Sequence, residues 1–87
     1  MEDLSQLPNI GEVLAGKLSD IGIISRTALV AKGSIEAVIQ IGDTDSTACY
    51  NMLYALEGAI RGVRWHGIPK EERKKLKEEF DLARELK

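Results

Sequence analysis

Residues 7–23 read LPNIGEVLAGKLSDIGI and set the first corner of the chain. A proline-led turn leads into a segment whose apolar residues recur at helical spacing. Asn9 followed by Glu12 is a capping-box pattern, in which an amide caps the helix and a carboxylate folds back onto the cap. We therefore predict a tight corner and then a helix over residues 10–21, closed by Gly22. The apolar residues expected on its inner face are Val13, Leu14, Leu18 and Ile21.

Two short helices are predicted next. Ser25 and Ser34 each precede an apolar segment that they can cap, which predicts helices over residues 26–32 and 35–41. The β-branched residues of these segments also fit strands, but neither run alternates cleanly or has a hairpin partner, so helices are favoured. The glycines expected to close helical segments in a left-handed conformation are Gly22, Gly33, Gly42 and Gly67.

The second half of the chain predicts two longer helices. Apolar residues at three-and-four spacing predict a helix over residues 46–63, capped by Asp45 or Thr44. The residues expected on its inner face are Cys49, Met52, Leu53, Leu56, Ala59, Ile60 and Val63. On its outer face, Glu57 and Arg61 are predicted to form a favourable i,i+4 pair. A charged last helix follows over residues 69–86, with a thin apolar stripe that needs a partner surface: Leu76, Phe80, Ala83 and Leu86. The prediction is an all-α fold, a compact bundle of about five short helices in one domain spanning residues 1–87.

Composition excludes several classes of protein. The chain has 87 residues, one cysteine and a net charge of −2. A single cysteine excludes an internal disulfide and a cysteine-cluster metal site. Because there is no long apolar run and the start MEDLSQLP is acidic, we expect neither a membrane span nor an export signal, and we predict a cytoplasmic protein.

Charge is unevenly distributed along the chain. Residues 1–24 carry one lysine against four acidic residues, whereas residues 59–75 carry six basic residues against two acidic ones. An anionic partner is therefore expected to approach the second region first. Within the last helix, however, lysines alternate with glutamates at i,i+4 spacing, which favours a solvated helix face over a nucleic-acid patch.

Constellations typical of enzymes or metal sites are incomplete. GDTDST, at residues 42–47, has the alternating oxygens of a calcium loop but lacks its glycine and closing acid, so helix capping is the better interpretation. Cys49 is expected on an apolar helix face, and His66 at a helix end where it can cap carbonyls. We therefore predict no catalysis, no cofactor and no metal.

Two stretches of the sequence are familiar. LPNIG, at residues 7–11, resembles the helix-hairpin-helix motif, whose core is apolar-Pro-Gly-apolar-Gly followed by a helix. Together with NMLYALEGAIRGVRWHGIP, at residues 51–69, and the charged helix after it, the chain resembles the C-terminal domain of the TfoX/Sxy family over roughly residues 4–80.

This resemblance implies a free-standing short form of that domain, with an all-α fold related to helix-hairpin-helix and SAM-like bundles. It also implies a link to transcription or competence regulation and no enzyme activity.

The hairpin is one candidate site. In DNA-binding modules of this kind, amides at the start of the second helix donate to a phosphate oxygen, and a nearby cation helps. The candidate residues are Asn9, Ile10, Gly11, Glu12 and Lys17. Asn9 replaces a glycine, and the Glu12 carboxylate occupies the positive pole that should attract phosphate. We therefore favour a packing corner. The alternative is weak sequence-independent DNA binding, assisted by Arg61 and Arg64.

The outer face of the fourth helix is the other candidate site. Tyrosine, tryptophan and arginine dominate interface hot spots, and five such residues gather here: Tyr50, Tyr54, Arg61, Arg64 and Trp65. Burial beneath the last helix competes with this interpretation and is favoured for Tyr54 and Trp65. We predict a non-enzymatic interaction module that binds a protein partner or forms a homodimer, in transcriptional or competence regulation.

Overall fold

The computed structural model describes residues 4–43, 45 and 48–86, and all regular structure within these ranges is helical. The α-helices are α1 (Glu12–Asp20), α2 (Arg26–Lys32), α3 (Ser34–Gly42), α4 (Tyr50–Arg61) and α5 (Lys70–Glu85). Single 3-10 turns occupy Leu4–Gln6 and Trp65–Gly67. The prediction of an all-α bundle of five short helices is confirmed.

Helices α3 and α4 form the centre of the bundle, and the other helices pack around them. The largest fully buried side chains are Leu18, Val38, Leu29, Ile41, Leu53, Leu56, Ile68 and Phe80. Almost all of these are aliphatic, as expected for a chain with few aromatic residues. Because each short helix buries few side chains, its stability comes from packing against α3 and α4.

Helix ends follow the glycine pattern only in part. Gly22 and Gly33 have positive φ angles of 85° and 87°, as predicted. The prediction was wrong for Gly42, which is the last residue of α3, and for Gly67, which has no positive φ. Gly62 instead closes α4 in the left-handed conformation, with φ 77°. Val63 N–H then donates to Gly58 O at 2.9 Å, which completes a Schellman-type end.

The predicted helix starts were partly wrong. Helix α1 begins at Glu12, and its N-cap residue is Gly11, which has no side chain. The capping box expected from Asn9 and Glu12 is therefore absent. Ser25 caps α2 as predicted, since its hydroxyl accepts from Ala28 N–H at 3.1 Å. Ser34 is the first residue of α3 rather than its cap. Its hydroxyl is used in a contact with α4, described below.

Helix α4 begins later than expected. It starts at Tyr50, after the N-cap residue Cys49, and Asp45 does not cap it. The Asp45 carboxylate forms an ion pair with Lys17 of α1 instead, which a local capping pattern cannot reveal. The other residues of the predicted start lie outside the described ranges: Thr44, Ser46 and Thr47.

Several apolar residues expected in the core are exposed. Val13 is 76% exposed because it lies on the side of α1 opposite the buried Leu18, and the inner face of the helix starts with Leu14. Cys49 is also exposed, because it precedes α4, and Val63 follows the end of that helix. In α5, Leu86 at the helix end is 81% exposed, and the buried stripe is shorter than predicted.

Candidate functional site

Asn9 holds the first corner against the end of α4. Its φ of 69° is left-handed, the only such value among the described residues other than glycine. The side-chain Nδ2 donates to Val63 O at 2.9 Å and to Ala55 O at 3.4 Å, and Oδ1 accepts from Trp65 N–H at 3.1 Å. Because the amide group is used in these long-range bonds, it braces the fold instead of capping α1.

Gly58 makes this brace sterically feasible. A Cβ added at this position in α4 would lie 2.5 Å from Asn9 Nδ2, 2.7 Å from Val63 O and 3.1 Å from Trp65 N. No side chain fits there without moving backbone atoms. Sequence reasoning did not single out Gly58, although a glycine inside a strongly periodic helix is a signal of close packing.

The backbone of the corner is less available to phosphate than the motif implies. Ile10 is buried in the core, and its N–H donates to Leu7 O at 3.2 Å. Gly11 and Glu12 are exposed, so the Glu12 carboxylate does lie at the open end of α1. The Ile10 amide is therefore already hydrogen-bonded within the fold, and the Glu12 carboxylate lies beside the remaining predicted donors.

Two cations lie beside the corner, the predicted Lys17 and also Arg64. Lys17 is engaged by the Asp45 carboxylate. Arg64 is exposed and, together with residues 6–11, lines an open cavity of about 470 Å³. The structure therefore brings Arg64, which was predicted both on the outer face of the fourth helix and as an aid to DNA binding, to the hairpin.

Tyr50 lies in the seam between α4 and α5. Its hydroxyl donates to an Asp81 carboxylate oxygen at 2.7 Å, and the Lys77 ammonium lies 4.8 Å from the centre of its ring. The hydrogen bond to Asp81 raises the pKa of the Tyr50 hydroxyl above its usual value. Both partners belong to α5, so Tyr50 holds that helix against the bundle.

Tyr54 and Trp65 occupy the same seam. Their rings stack with centres 5.8 Å apart, and the Arg73 guanidinium of α5 lies 5.5 Å from the Trp65 ring. The His66 ring stacks on the Trp65 ring, with ring centres 3.9 Å apart. Tyr54 and Trp65 are both half-buried. The competing interpretation, burial beneath the last helix, therefore describes them better than an open aromatic ridge.

Arg61 is exposed but belongs to a chain of polar contacts that links three helices. Its guanidinium donates to Glu57 at 2.8 Å, the predicted i,i+4 pair, and to Glu72 of α5 at 2.6 Å. These hydrogen bonds raise the pKa of Arg61 above its usual value. The other Glu57 oxygen accepts from the buried Ser34 hydroxyl at 2.8 Å. Arg61 therefore serves the packing of α3, α4 and α5.

The outer side of α1 forms a surface of a different character, which we call the α1 face. It consists of exposed residues at helical spacing: Glu12, Val13, Gly16, Ser19 and Asp20. Beside it lies an open groove of about 520 Å³, here called the Val13 groove, lined by Gly11, Glu12, Val13, Leu14, Lys17 and Met52. Sequence reasoning missed this surface because it assigned Val13 to the core.

The described residues contain no group of three His, Cys, Asp or Glu side chains placed to hold a metal ion. Likewise, no helix within the described ranges is sufficiently long and apolar to cross a membrane.

Comparisons with known proteins identify the family. The TfoX C-terminal domain family matches residues 1–80. A crystal structure of an uncharacterized protein from Listeria monocytogenes, triclinic form, is similar at 46% identity and a TM-score of 0.84, covering 87% of this chain and 86% of that one. A protein of unknown function from Listeria monocytogenes, tetragonal form, is 43% identical with a TM-score of 0.85, covering 93% of this chain and 99% of that one. No curated protein matches. With nearly its whole length matched, the chain belongs to the TfoX C-terminal domain family.

Proposed function

We propose that this protein is a non-enzymatic interaction module that binds a protein partner through the α1 face and the Val13 groove. One observation carries the proposal: Val13, 76% exposed on a regular helix, lies at the rim of a groove whose wall includes Leu14 and Met52. An open apolar groove with charged residues at its rim has the anatomy of a protein interface.

A non-enzymatic role fits the surroundings of Cys49 and His66, the two residues that an enzyme could use as nucleophile and base. Cys49 is the N-cap residue of α4, and the His66 ring stacks on the Trp65 ring with centres 3.9 Å apart. The family resemblance links the domain to transcriptional and competence regulation, so the partner we propose is a cytoplasmic protein of that process.

Capture from native lysate tests this proposal. The intact chain should capture a partner protein, and Val13→Glu should abolish capture because a carboxylate at the rim of the groove would lose its hydration when the partner covers it. Val30→Glu is the matched control, since Val30 on α2 is 47% exposed and lies away from the groove. Capture that survives Val13→Glu, measured by quantitative mass spectrometry, would contradict the proposed surface.

Light scattering tests the homodimer version of this function. A second copy bound through the α1 face should double the particle mass at high concentration, and Val13→Glu should restore the monomer. A monomer at every concentration would remove the homodimer and leave a different protein as the partner.

A second candidate function is weak, sequence-independent binding to the DNA backbone. The position of Arg64 favours it, because this exposed cation lines the same cavity as the hairpin. Gly11 and Glu12 would present backbone amides there, but the Glu12 carboxylate opposes an approaching phosphate.

A duplex-DNA titration at low and physiological salt decides this second candidate. Amide shifts confined to residues 9–13 that fade with salt support it, and their absence at low salt eliminates it. Glu12→Lys should strengthen the binding and Arg64→Ala should weaken it. Lys70→Ala, an exposed charge on α5, serves as the control for a general loss of positive charge.

A further inference from the structure

Two glycines lie in helix interiors, and the packing of this chain explains only one of them. A Cβ at Gly58 would collide with Asn9, whereas a Cβ at Gly16 would meet no atom within 4 Å. Glycine inside a helix costs about 0.5–1 kcal/mol relative to alanine. The fold itself therefore has room for a side chain at position 16, and α1 is weaker without one.

Gly16 lies in the middle of the α1 face, one helical turn from Val13. Since glycine has no side chain, another chain can approach the backbone of α1 closely at this point. The distance between two packed helices depends on the side chains at the point where they cross. A second helix that crosses α1 at Gly16 can therefore pack at a shorter distance. Val13, which shares the α1 face with Gly16, also lines the Val13 groove, so it connects the two features.

The charges around this crossing point are predominantly acidic. Glu12 and Asp20 are exposed at the two ends of the α1 face. Lys17, the one basic residue of α1, is engaged by Asp45, and both border a small cavity with Asp20. A partner with positive charges on either side of its contact is therefore favoured, and one with negative charges is repelled.

The secondary structure of the partner follows from what this surface offers. Binding by strand addition requires an exposed sheet edge, and the described ranges contain no strand. Helix α1 has nine residues, a length of about 14 Å, which provides a complete crossing site for a second helix.

We infer that the α1 face binds a cationic amphipathic α-helix of a partner protein. Its backbone packs closely over Gly16, one apolar side chain enters the Val13 groove, and flanking Lys or Arg residues face Glu12 and Asp20. This inference rests on the proposed function, a protein partner at this face, and adds the chemistry of that partner.

Two synthetic peptides test this inference. Each has about 18 residues, or five helical turns, and the same stripe of Ala and Leu, flanked by Lys in one peptide and by Glu in the other. The intact protein is titrated with each peptide while its backbone amide signals are followed by NMR. We expect the Lys peptide to shift residues 12–20 and to bind at least about tenfold more tightly than the Glu peptide at low salt. This difference should shrink as salt is added.

Three variants sharpen the test. Gly16→Leu should weaken binding of the Lys peptide by about tenfold or more because its side chain blocks close approach. It should stay folded, since nothing lies within 4 Å of the added Cβ. Ala31→Leu, at an exposed position on α2, is the matched control and should leave binding unchanged. The double variant Glu12→Lys, Asp20→Lys should reverse the preference between the two peptides.

Either of two results would overturn the inference: equal binding of both peptides, or undiminished binding to folded Gly16→Leu. If capture from lysate still depends on Val13 in that case, the proposed function stands and only the partner's chemistry is wrong. If capture is also independent of Val13, both proposals fail. A dimer that dissociates in Gly16→Leu would identify a second copy as the occupant and would likewise overturn the cationic partner helix.

Discussion

Gly58 and Gly16 each place a residue without a side chain inside a helix, yet their surroundings are opposite. Gly58 is buried at the point where Asn9, Val63 and Trp65 converge, and its missing Cβ leaves the space that these groups fill. Gly16 is exposed on α1, and the space above it is open. Both carry the same backbone entropy cost in a helix.

The comparison shows that one residue type can serve two unrelated needs. At Gly58 the cost is offset within the molecule, because the corner gains the hydrogen bonds of Asn9. At Gly16 no contact within the described chain offsets it, and the partner helix proposed above supplies a reason. Substitutions at the two positions should therefore change stability in opposite directions.

The largest effect is expected from Gly58→Ala. The added methyl group would overlap Asn9 Nδ2 and the backbone oxygen of Val63, so the corner must open. Overpacking together with lost hydrogen bonds should reduce the free energy of unfolding by about 3 kcal/mol. For a domain of this size that lowers Tm by at least about 12 °C, measurable by circular dichroism.

Gly67→Ala is the control for this prediction. A Cβ at Gly67 meets nothing within 4 Å, and its φ is not positive, so the change in stability should stay within about 0.5 kcal/mol. If Gly58→Ala reduces the free energy of unfolding by less than about 1 kcal/mol, the corner can move to make room for the methyl group at little cost. The contrast between Gly58 and Gly16 would then disappear.

A smaller effect is expected from Asn9→Ala. This variant removes the bonds to Val63 O and Trp65 N and places alanine at a φ of 69°, which together should cost about 2 kcal/mol. Asn9→Gly also removes these hydrogen bonds, but glycine adopts the left-handed conformation without strain. Its free energy of unfolding should therefore fall by only about half as much as that of Asn9→Ala. Urea unfolding of both variants separates the two contributions.

A double-mutant cycle then tests whether Asn9 and Gly58 form one unit. Because Asn9 Nδ2 is the nearest atom to the added methyl group, Gly58→Ala should be about 1 kcal/mol less damaging when Asn9 is already alanine. If the losses of unfolding free energy from Asn9→Ala and Gly58→Ala simply add, the methyl group at position 58 collides only with backbone atoms and not with the Asn9 side chain.

The same corner shows what local sequence patterns predict and what they do not. The asparagine at position 9 and the glutamate three residues later fit a capping box, which is a local pattern. In the fold, the Asn9 amide binds backbone groups 46 to 56 residues away. Spacing along the chain carries no information about such partners, so the corner was predicted correctly and its hydrogen bonds were not.

The candidate surfaces show a similar limit. Helical periodicity correctly places Leu53 and Leu56 in the core, and the i,i+4 pair of Glu57 and Arg61 is present as predicted. Val13 was misplaced because it lies five residues before the buried Leu18, about 140° around the helix axis at 3.6 residues per turn, so its side chain faces away from the core. A helix of nine residues has few turns, so its apolar pattern does not define the edges of the buried stripe.

The family resemblance, in contrast, was confirmed over almost the whole chain, with a match to residues 1–80. It rests on many positions at once, so an error in a single cap or helix end does not affect it. The fold was therefore predictable where many residues agree. The proposed site was not, because it depends on the exposure of a few side chains, Val13 above all.

The smallest stability effect, and the one of opposite sign, is expected from Gly16→Ala. Alanine fits the open space and removes the helix cost of glycine, so the free energy of unfolding should rise by about 0.5–1 kcal/mol. Its methyl group should also hold a partner helix slightly away, weakening the Lys peptide by about threefold. Thermal unfolding and the peptide titration measure the two effects on one sample. If Gly16→Ala is more stable and binds the Lys peptide equally well, Gly16 has no role in docking. If it is more stable but binds the peptide less tightly, α1 gives up stability for close contact with a partner.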